Sequence, residues 1–227
     1  MKRIVQSELL DALPPDNPRA IRSRQDLRRI NWLMGNAATL ARSLESHWPK
    51  DRAVQITEIG SGDGNILAQV ARQISSSWPG GKVTLLDRQA SVSADSLRAF
   101  ESLGWEAREI VTDVFEWSPA NGEIVIANLF LHHFDDNQLV SLFQRIAARA
   151  SLFIAVEPRR AQWPLFCSRL LWAIGCNDIT RHDAVVSVCA GFCGDEISTL
   201  WPDRAAWQLT EQGTGLFSHL FVAKKTE

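Results

Sequence analysis

Short apolar runs alternate with amphipathic stretches along most of the chain. The apolar runs predict strands over residues 54–59, 82–87, part of 104–115, 123–128, 152–158, 207–212 and 218–224. Apolar residues at spacings of three and four predict helices over residues 65–76, 91–103 and 139–150. This alternation favours an α/β fold in which a mostly parallel sheet is wound from strand–helix–strand units. A glycine-containing turn at residues 213–215 predicts that the last two strands form a hairpin.

The chain before the first strand is predicted to be helical. A helical pattern runs over residues 19–48 and is interrupted at Gly35 and Asn36. Its first half is rich in arginine, which is typical of a solvated helix face. We expect residues 1–50 to form a helical lid, in which Arg24 either faces a pocket or belongs to that solvated face.

A second helical region interrupts the alternation after the fifth strand. Three apolar helical patches are predicted there, over residues 163–174, 183–189 and 194–200. We therefore expect one main domain at residues 51–227 with a helical insertion at about 159–202. An insertion at this point would lie above the edge of the sheet where parallel strands end.

A glycine-rich turn follows the first strand and is the most informative motif. Residues 58–64 read Glu-Ile-Gly-Ser-Gly-Asp-Gly, and glycine at alternate positions permits positive φ and lets a ligand approach bare backbone. A dinucleotide fingerprint would place its third glycine at position 65, where this chain has Asn65. Glu58 at the end of the strand would repel phosphate and suit an ammonium or sulfonium. A tight turn without a ligand is the alternative interpretation.

Polar residues follow the next strands in the same way. Asp87, Asp113 and Asn128 stand at or just after the ends of the second, third and fourth predicted strands. The carboxyl ends of parallel strands meet at one edge of a sheet, so these side chains are expected to lie beside the glycine turn. The two oxygens of Asp87 could accept hydrogen bonds from both hydroxyls of a ribose. The alternative for Asp87 is a cap on the following helix.

Composition excludes several classes of protein. A chain of 227 residues with 45% hydrophobic residues can form one substantial core. The formal net charge is −2, which gives no basic field for nucleic acid. The N-terminus turns polar at once, and no apolar stretch reaches the roughly 20 residues that span a bilayer. We expect a cytoplasmic protein with no membrane span and no nucleic-acid partner.

The cysteines and histidines do not show the spacing of a metal site. The four cysteines form no Cys-x-x-Cys pair, and the five histidines are scattered. We therefore predict reduced thiols and no bound metal.

Together, the Glu-x-Gly-x-Gly-x-Gly turn and the ordered polar strand ends over residues 54–158 resemble the class I S-adenosylmethionine-dependent methyltransferases. The resemblance implies S-adenosylmethionine as cofactor and a Rossmann-like, doubly wound sheet of seven strands, mostly parallel with an antiparallel last strand. It implies contacts to the methionine part from Glu58, Gly60 and Gly62, to the ribose from Asp87 and to the adenine from Asp113, with an apolar neighbour such as Val114 or Phe115 over the ring. Asn128 would lie beneath the methyl donor, and Arg88 is a further candidate for binding the cofactor.

The loop after the fourth strand carries the candidate catalytic groups. His133, and less strongly His132, could act as a general base, since an unperturbed imidazole accepts a proton near neutral pH. Both could instead pack and cap the helix that begins near residues 135–137. The candidate residues for binding the acceptor are Arg24 in the lid and Trp163, Arg181 and His182 in the insertion.

The N-terminal residues also resemble bacterial small-molecule methyltransferases of polyketide or quinone-type secondary metabolism. This resemblance implies O-methylation of a phenolic, quinol or polyketide-derived acceptor. We expect the protein to be a monomer or a homodimer. Two alternatives stay open from the sequence alone. One is an NAD-type oxidoreductase, which also uses a glycine turn, and the other is a non-catalytic partner protein that binds S-adenosylmethionine.

Overall fold

The centre of the molecule is one sheet, which has seven strands within the described residues. The structure is a computed structural model, and it describes residues 1–14 and 16–226. In chain order the strands are β1 (Val54–Ile59), β2 (Gly81–Asp87), β3 (Glu106–Val111), β4 (Ile124–Asn128), β5 (Leu152–Pro158), β6 (Trp207–Thr214) and β7 (Ser218–Lys225). Their order across the sheet is β3-β2-β1-β4-β5-β7-β6. Strands β1 to β5 are parallel, and β7 is antiparallel to β5 and β6. The predicted fold class, including the antiparallel last strand, is confirmed.

Helices cover both faces of this sheet. The α-helices assigned in the described residues are α1 (Pro18–Met34), α2 (Asn36–His47), α3 (Asn65–Ile74), α4 (Ala94–Ser102), α5 (Asp136–Arg149), α6 (Gln162–Ser168), α7 (Asp178–Ala190) and α8 (Glu196–Leu200). Short 3₁₀ helices lie at Leu10–Ala12, Leu131–His133, Leu171–Ile174 and Arg204–Ala206.

The insertion differs from its predicted pattern in two places. Helix α7 begins at Asp178 rather than near residue 183, because the side chain of Asn177 accepts a hydrogen bond from the Thr180 amide at 2.8 Å and caps the first turn. The patch predicted over residues 163–174 is divided into α6 and the 3₁₀ helix that follows it.

The core has two layers, one on each face of the sheet. On one face α2, α3 and α4 bury Leu40, Leu67 and Phe100 against β1, and on the other α5 and α8 pack against Phe153 and Phe221. Every residue of β4 and β5 is buried, as expected for strands in the middle of a sheet. Helix α2 is therefore part of the body, and the lid hypothesis now concerns only the residues before it.

A buried carboxylate helps to fasten helix α1 to the insertion, beside a buried hydrogen bond between the hydroxyls of Ser23 and Thr180. Asp26 is fully buried and accepts a hydrogen bond from the backbone amide of Asn177 at 2.8 Å. It also forms ion pairs with Arg22 and Arg29 of its own helix and accepts a hydrogen bond from the Thr180 hydroxyl. These contacts fix α1 on the first turn of α7.

Within the described part of the chain, we find no helix with the length and apolar character needed to cross a bilayer.

Candidate functional site

A cavity of about 700 Å³ lies at the carboxyl ends of β1, β2 and β4. Its floor is the glycine turn and the polar strand ends. Its roof consists of α1 and the N-terminal segment, by which we mean residues 1–13. The cofactor-binding residues implied by the resemblance all line it: Glu58, Gly60, Gly62, Asp87, Arg88, Asp113, Val114 and Asn128. His132, His133 and Arg24 line it as well.

The glycine turn offers bare backbone to this cavity. Gly60, Gly62 and Gly64 all have positive φ, between 52° and 73°. A Cβ on Gly60 would lie 2.1 Å from the ring of Phe130, so the turn must also be glycine there for steric reasons. A Cβ on Gly62 would meet nothing within 4 Å. The space beside Gly62 is therefore open to a ligand.

Asp87 links the second strand to the glycine turn. Its Oδ2 accepts a hydrogen bond from the amide of Gly62, and its Oδ1 accepts one from the amide of Gln89, both at 3.0 Å. Helix α4 is capped by Ser93 instead, so the alternative role of Asp87 as a helix cap is wrong. Each carboxylate oxygen retains a further lone pair for a ligand hydroxyl.

Glu58 is a buried carboxyl group with an unsatisfied oxygen. Only 2% of the residue is exposed, and its Oε2 has no hydrogen-bond partner among the described residues. Burial, followed by the charges of Asp63 and Asp87, raises the pKa of Glu58 well above its usual value. A positively charged ligand group in the cavity would satisfy the oxygen and stabilise the ionised form.

The end of β4 is held by side chains from distant elements. The side-chain amide of Asn36, the first residue of α2, donates a hydrogen bond to Oδ1 of Asn128 at 2.9 Å and accepts one from the Ser218 hydroxyl at 2.9 Å. The next residue, Leu129, has φ of 51°, a left-handed conformation that is strained for a residue with a Cβ. Strain beside a cavity is typical of functional sites.

The loop that begins at Leu129 is organised around Glu157 at the end of β5. Its carboxylate accepts hydrogen bonds from the amides of Phe130 at 3.0 Å and Leu131 at 2.8 Å. It also pairs with Nδ1 of His132 at 2.8 Å. Phe130 packs edge-on against Phe134, with ring centroids 5.0 Å apart, which gives the cavity an aromatic wall.

His132 is a buried histidine held between two carboxylates. Its Nε2 lies 3.3 Å from Oε1 of Glu8, opposite the contact that Nδ1 makes with Glu157. Burial alone would lower the pKa of His132, but the two carboxylates outweigh it and raise the pKa to about 9. The same contacts outweigh the effect of burial on Glu8 and lower its pKa to about 2. His132 is therefore protonated at neutral pH and has no free nitrogen with which to accept a proton.

His133 has the opposite properties. Its ring stacks loosely on that of His132, with centroids 4.3 Å apart, and lines the cavity. Burial and the positive charge of His132 lower the pKa of His133, so its imidazole is neutral at neutral pH. Of the two histidines, His133 is the one that can accept a proton.

One group of side chains has the proximity of a metal site. Ligand atoms of Glu8, His132 and His133 lie within 4.8 Å of one another. However, both nitrogens of His132 face carboxylates, which is the arrangement expected for a protonated imidazole rather than a ligand of a metal ion. The four cysteines, which are free, lie outside this group.

Three of the residues predicted to bind the acceptor lie elsewhere. Among the described residues that line the cavity we do not find Trp163, Arg181 or His182. Trp163 is 54% exposed and stacks on Phe166 along the outer face of α6. Arg181 and His182 are exposed because α7 turns its Asp183 side towards the N-terminal segment. Only Arg24 of the four predicted residues lies at the cavity.

Sequence reasoning missed Glu8, Asp11, Glu157 and Ser187. Glu157 could have been found, because it is an acid at the end of a buried strand, as Asp87 is. Glu8 and Asp11 belong to a segment with little regular structure, and Ser187 lies on the face of α7 that meets this segment. No local pattern signals contacts of this kind.

Comparisons with known proteins agree on the fold. No family model matches the chain. A segment of 108 residues is 33% identical to a trans-aconitate 2-methyltransferase from Afipia carboxidovorans, and this match covers 47% of the present chain and 38% of that protein.

Solved structures match over most of the chain. The plantazolicin methyltransferase BpumL in complex with SAH has a TM-score of 0.65 at 14% identity, over 93% of this chain and 92% of its own. The pyocyanin biosynthetic protein PhzM has a TM-score of 0.61 at 17% identity, over 97% of this chain and 62% of its own. The mitomycin 7-O-methyltransferase MmcR has a TM-score of 0.61 at 20% identity, over 96% of this chain and 61% of its own. The chain has the fold of the class I S-adenosylmethionine-dependent methyltransferases.

Proposed function

We propose that the protein transfers a methyl group from S-adenosylmethionine to an oxygen of a small molecule. The observation that carries this proposal is the cavity floor, where an open glycine face at Gly62 lies beside Asp87 and beside the unpaired buried oxygen of Glu58. This floor fits a ligand with a cationic end and a ribose. The fold and the similarity to methyltransferases support the same assignment.

The cofactor would be held by the residues at the strand ends. Glu58, Gly60 and Gly62 would contact its methionine part, where the Glu58 carboxylate balances positive charge. Asp87, with its neighbour Arg88, would bind the ribose. Asp113 and Val114 would bind the adenine, and Asn128 would lie beneath the methyl donor. When bound, the cofactor supplies an electrophilic methyl group, and the protein aligns the acceptor with it and excludes water.

The acceptor would lie between this site and the roof of the cavity. The aromatic wall of Phe130 and Phe134 suits a flat ring, and the neutral His133 can accept the proton of a hydroxyl group as the methyl group is transferred. A phenolic, quinol or polyketide-derived acceptor is therefore our first choice. The names of MmcR, a mitomycin 7-O-methyltransferase, and PhzM, a pyocyanin biosynthetic protein, support a small-molecule acceptor.

A carboxylate acceptor is the second candidate. Arg24, Arg28 and Arg88 line the cavity, and arginine binds carboxylates well. The match to a trans-aconitate 2-methyltransferase favours the same chemistry. The comparisons give no support to an NAD-type oxidoreductase or a non-catalytic binding protein. A cytoplasmic location and a monomer or homodimer stay part of the proposal.

Turnover tests this function directly. The purified protein is incubated with methyl-labelled S-adenosylmethionine and a panel of phenols, quinols and carboxylic acids, and labelled product and S-adenosylhomocysteine are measured. We expect stoichiometric formation of both with one acceptor class. Saturable cofactor binding without product across the whole panel would instead favour a non-catalytic protein.

The loop at residues 129–134, which carries His132 and His133 and is called the histidine loop below, gives a second, independent test. His133→Ala should lower kcat by roughly 100-fold, the size of a typical general-base contribution, with little effect on cofactor affinity. His182→Ala is the matched control, because His182 is exposed on α7 outside the cavity lining. Equal losses of kcat and cofactor affinity in His133→Ala would point to packing rather than catalysis.

A further inference from the structure

The N-terminal segment is fastened over the histidine loop at two points. Near its start, Arg3 donates a hydrogen bond to the carbonyl oxygen of Phe134 at 2.8 Å. Further along, the amides of Leu9 and Leu10 donate to the carboxylate of Asp183 on α7 at 2.8 and 3.0 Å. These contacts give the acidic side chains of the segment fixed positions above the cavity.

Each histidine of the loop faces its own carboxylate from this segment. Oε1 of Glu8 lies 3.3 Å from Nε2 of His132, whose Nδ1 is already paired with Glu157. Oδ2 of Asp11 lies 3.5 Å from Nδ1 of His133. Both nitrogens of His132 are therefore engaged, whereas only Nδ1 of His133 faces a carboxylate.

We propose that Asp11 is a positioning residue for methyl transfer, whose carboxylate accepts a hydrogen bond from the Nδ1–H group of His133 and so leaves Nε2 unprotonated to accept the proton of the acceptor hydroxyl. This role rests on the proposed function, because it assigns a partner to the base used there. In the transfer step, the acceptor proton moves to Nε2 and the oxygen electron pair forms a bond to the methyl carbon. The electrons of the carbon–sulfur bond stay on sulfur.

The chemistry of imidazole explains why a carboxylate is useful at this position. A neutral histidine carries one proton, and the hydrogen bond at one nitrogen decides which nitrogen remains an acceptor. The carboxylate also stabilises the imidazolium that forms when Nε2 takes up a proton. Hydrogen bonds of this kind are often long in the absence of substrate and shorten in the complex. The 3.5 Å between Oδ2 of Asp11 and Nδ1 of His133 is consistent with such a bond.

The direction of the pH effect follows from the charges around the pair. The groups that face His133 are His132, Glu8, Asp11 and Glu157, and those that face Asp11 also include Arg88 and Asp183. Burial and His132 lower the pKa of His133, while Asp11 opposes them. Removal of the Asp11 charge should therefore lower the pKa of His133 further.

The first test uses the protein without any substrate. The pKa of His133 is measured by NMR titration of the imidazole, with His133→Ala used to assign the signal. In Asp11→Asn we expect it to fall by about one pH unit, the lower end of the effect of a nearby opposite charge. Asp16→Asn, which removes an exposed acid just after the segment, should leave it unchanged. An unchanged His133 pKa in Asp11→Asn would overturn the proposal.

The second test uses turnover. Asp11→Asn should lower kcat at least about tenfold and shift the acidic limb of the pH profile of kcat to lower pH. The KM for S-adenosylmethionine should stay unchanged. Asp11→Glu should restore part of the rate. An unshifted profile, or a loss of activity that only follows a loss of Tm, would contradict a positioning role. If no acceptor is methylated at all, the proposed function fails, and the NMR titration still decides whether Asp11 orients His133.

Discussion

Acids at neighbouring strand ends differ in what their carboxylates contact. Asp87 and Glu157 receive hydrogen bonds from backbone amides, and these bonds shape the glycine turn and the histidine loop. Glu58 is buried as Glu157 is, but one of its oxygens has no partner among the described residues. Its raised pKa is the consequence, since burial without compensating donors disfavours the ionised form.

This difference predicts that binding of S-adenosylmethionine depends on pH. The pKa of Glu58 is raised in the free protein, and a cationic ligand should lower it again, so binding should release a proton. Affinity should therefore increase with pH, by at most about tenfold per pH unit, and level off above the pKa of the free protein. The measurement is calorimetry across pH in buffers of different ionisation enthalpy.

Glu58→Gln is the matched control for this effect. The amide keeps the size of the side chain but has no charge to titrate, so the variant should bind more weakly and lose the pH dependence. If Glu58→Gln keeps the full pH dependence of the wild-type protein, another group is responsible and the role of Glu58 is wrong.

The residues of the site divide into those that sequence could predict and those that it could not. The position of Glu58, Asp87 and Asn128 at the cavity could be predicted, because each stands at or near the end of a strand. Parallel strands bring their ends together whatever the rest of the chain does. Glu8 and Asp11 reach the cavity through long-range contacts with the histidine loop and α7. Such contacts depend on three-dimensional packing and leave no local pattern.

At the level of elements, α1 and α7 act as one unit. The fully buried Asp26 joins them by accepting hydrogen bonds from Asn177 and Thr180 at the first turn of α7. A carboxylate at this position also interacts favourably with the positive end of the helix dipole. The α1 part of the roof is therefore held in part by a buried carboxylate.

Asp26→Ala should lower the free energy of unfolding by about 2–3 kcal/mol, because it leaves buried donors on α7 without a partner. Asp95→Ala is a suitable control, since Asp95 forms a comparable ion pair with Arg98 three residues along an exposed helix face. The control should change stability by less than about 1 kcal/mol. Urea denaturation measures both, and equal effects of the two substitutions would contradict the anchoring role of Asp26.

Elements were easier to predict than the faces they present. Strand β1 matches its predicted bounds, because its apolar residues end at Ile59, directly before the glycine turn that must end the strand. The region predicted as an insertion contains α6, α7 and α8, yet Trp163 and Arg181 are not among the residues that line the cavity. Apolar residues occur on more than one side of these helices, and Trp163, Phe166 and Trp172 are all exposed, so polarity alone did not indicate which side is inward.

For the whole molecule, the site is formed between the edge of the sheet and a roof supplied by residues 1–13 and α1. The sheet edge carries the proposed cofactor contacts, which the glycine turn and the strand ends made predictable. The roof carries Arg24, Glu8 and Asp11, and only Arg24 was anticipated. The acceptor is consequently the part of the function that the sequence specified least.

Equilibrium binding of S-adenosylmethionine is the measurement that decides whether this cavity is a methyl-donor site. Isothermal titration calorimetry of the wild-type protein should show saturable binding of S-adenosylmethionine at one site per chain and no binding of NAD. Asp87→Ala should bind S-adenosylmethionine more weakly by about 1–3 kcal/mol, through the loss of charged hydrogen bonds to the ribose. Binding of NAD without binding of S-adenosylmethionine, or an affinity unchanged in Asp87→Ala, would contradict the assignment of the site.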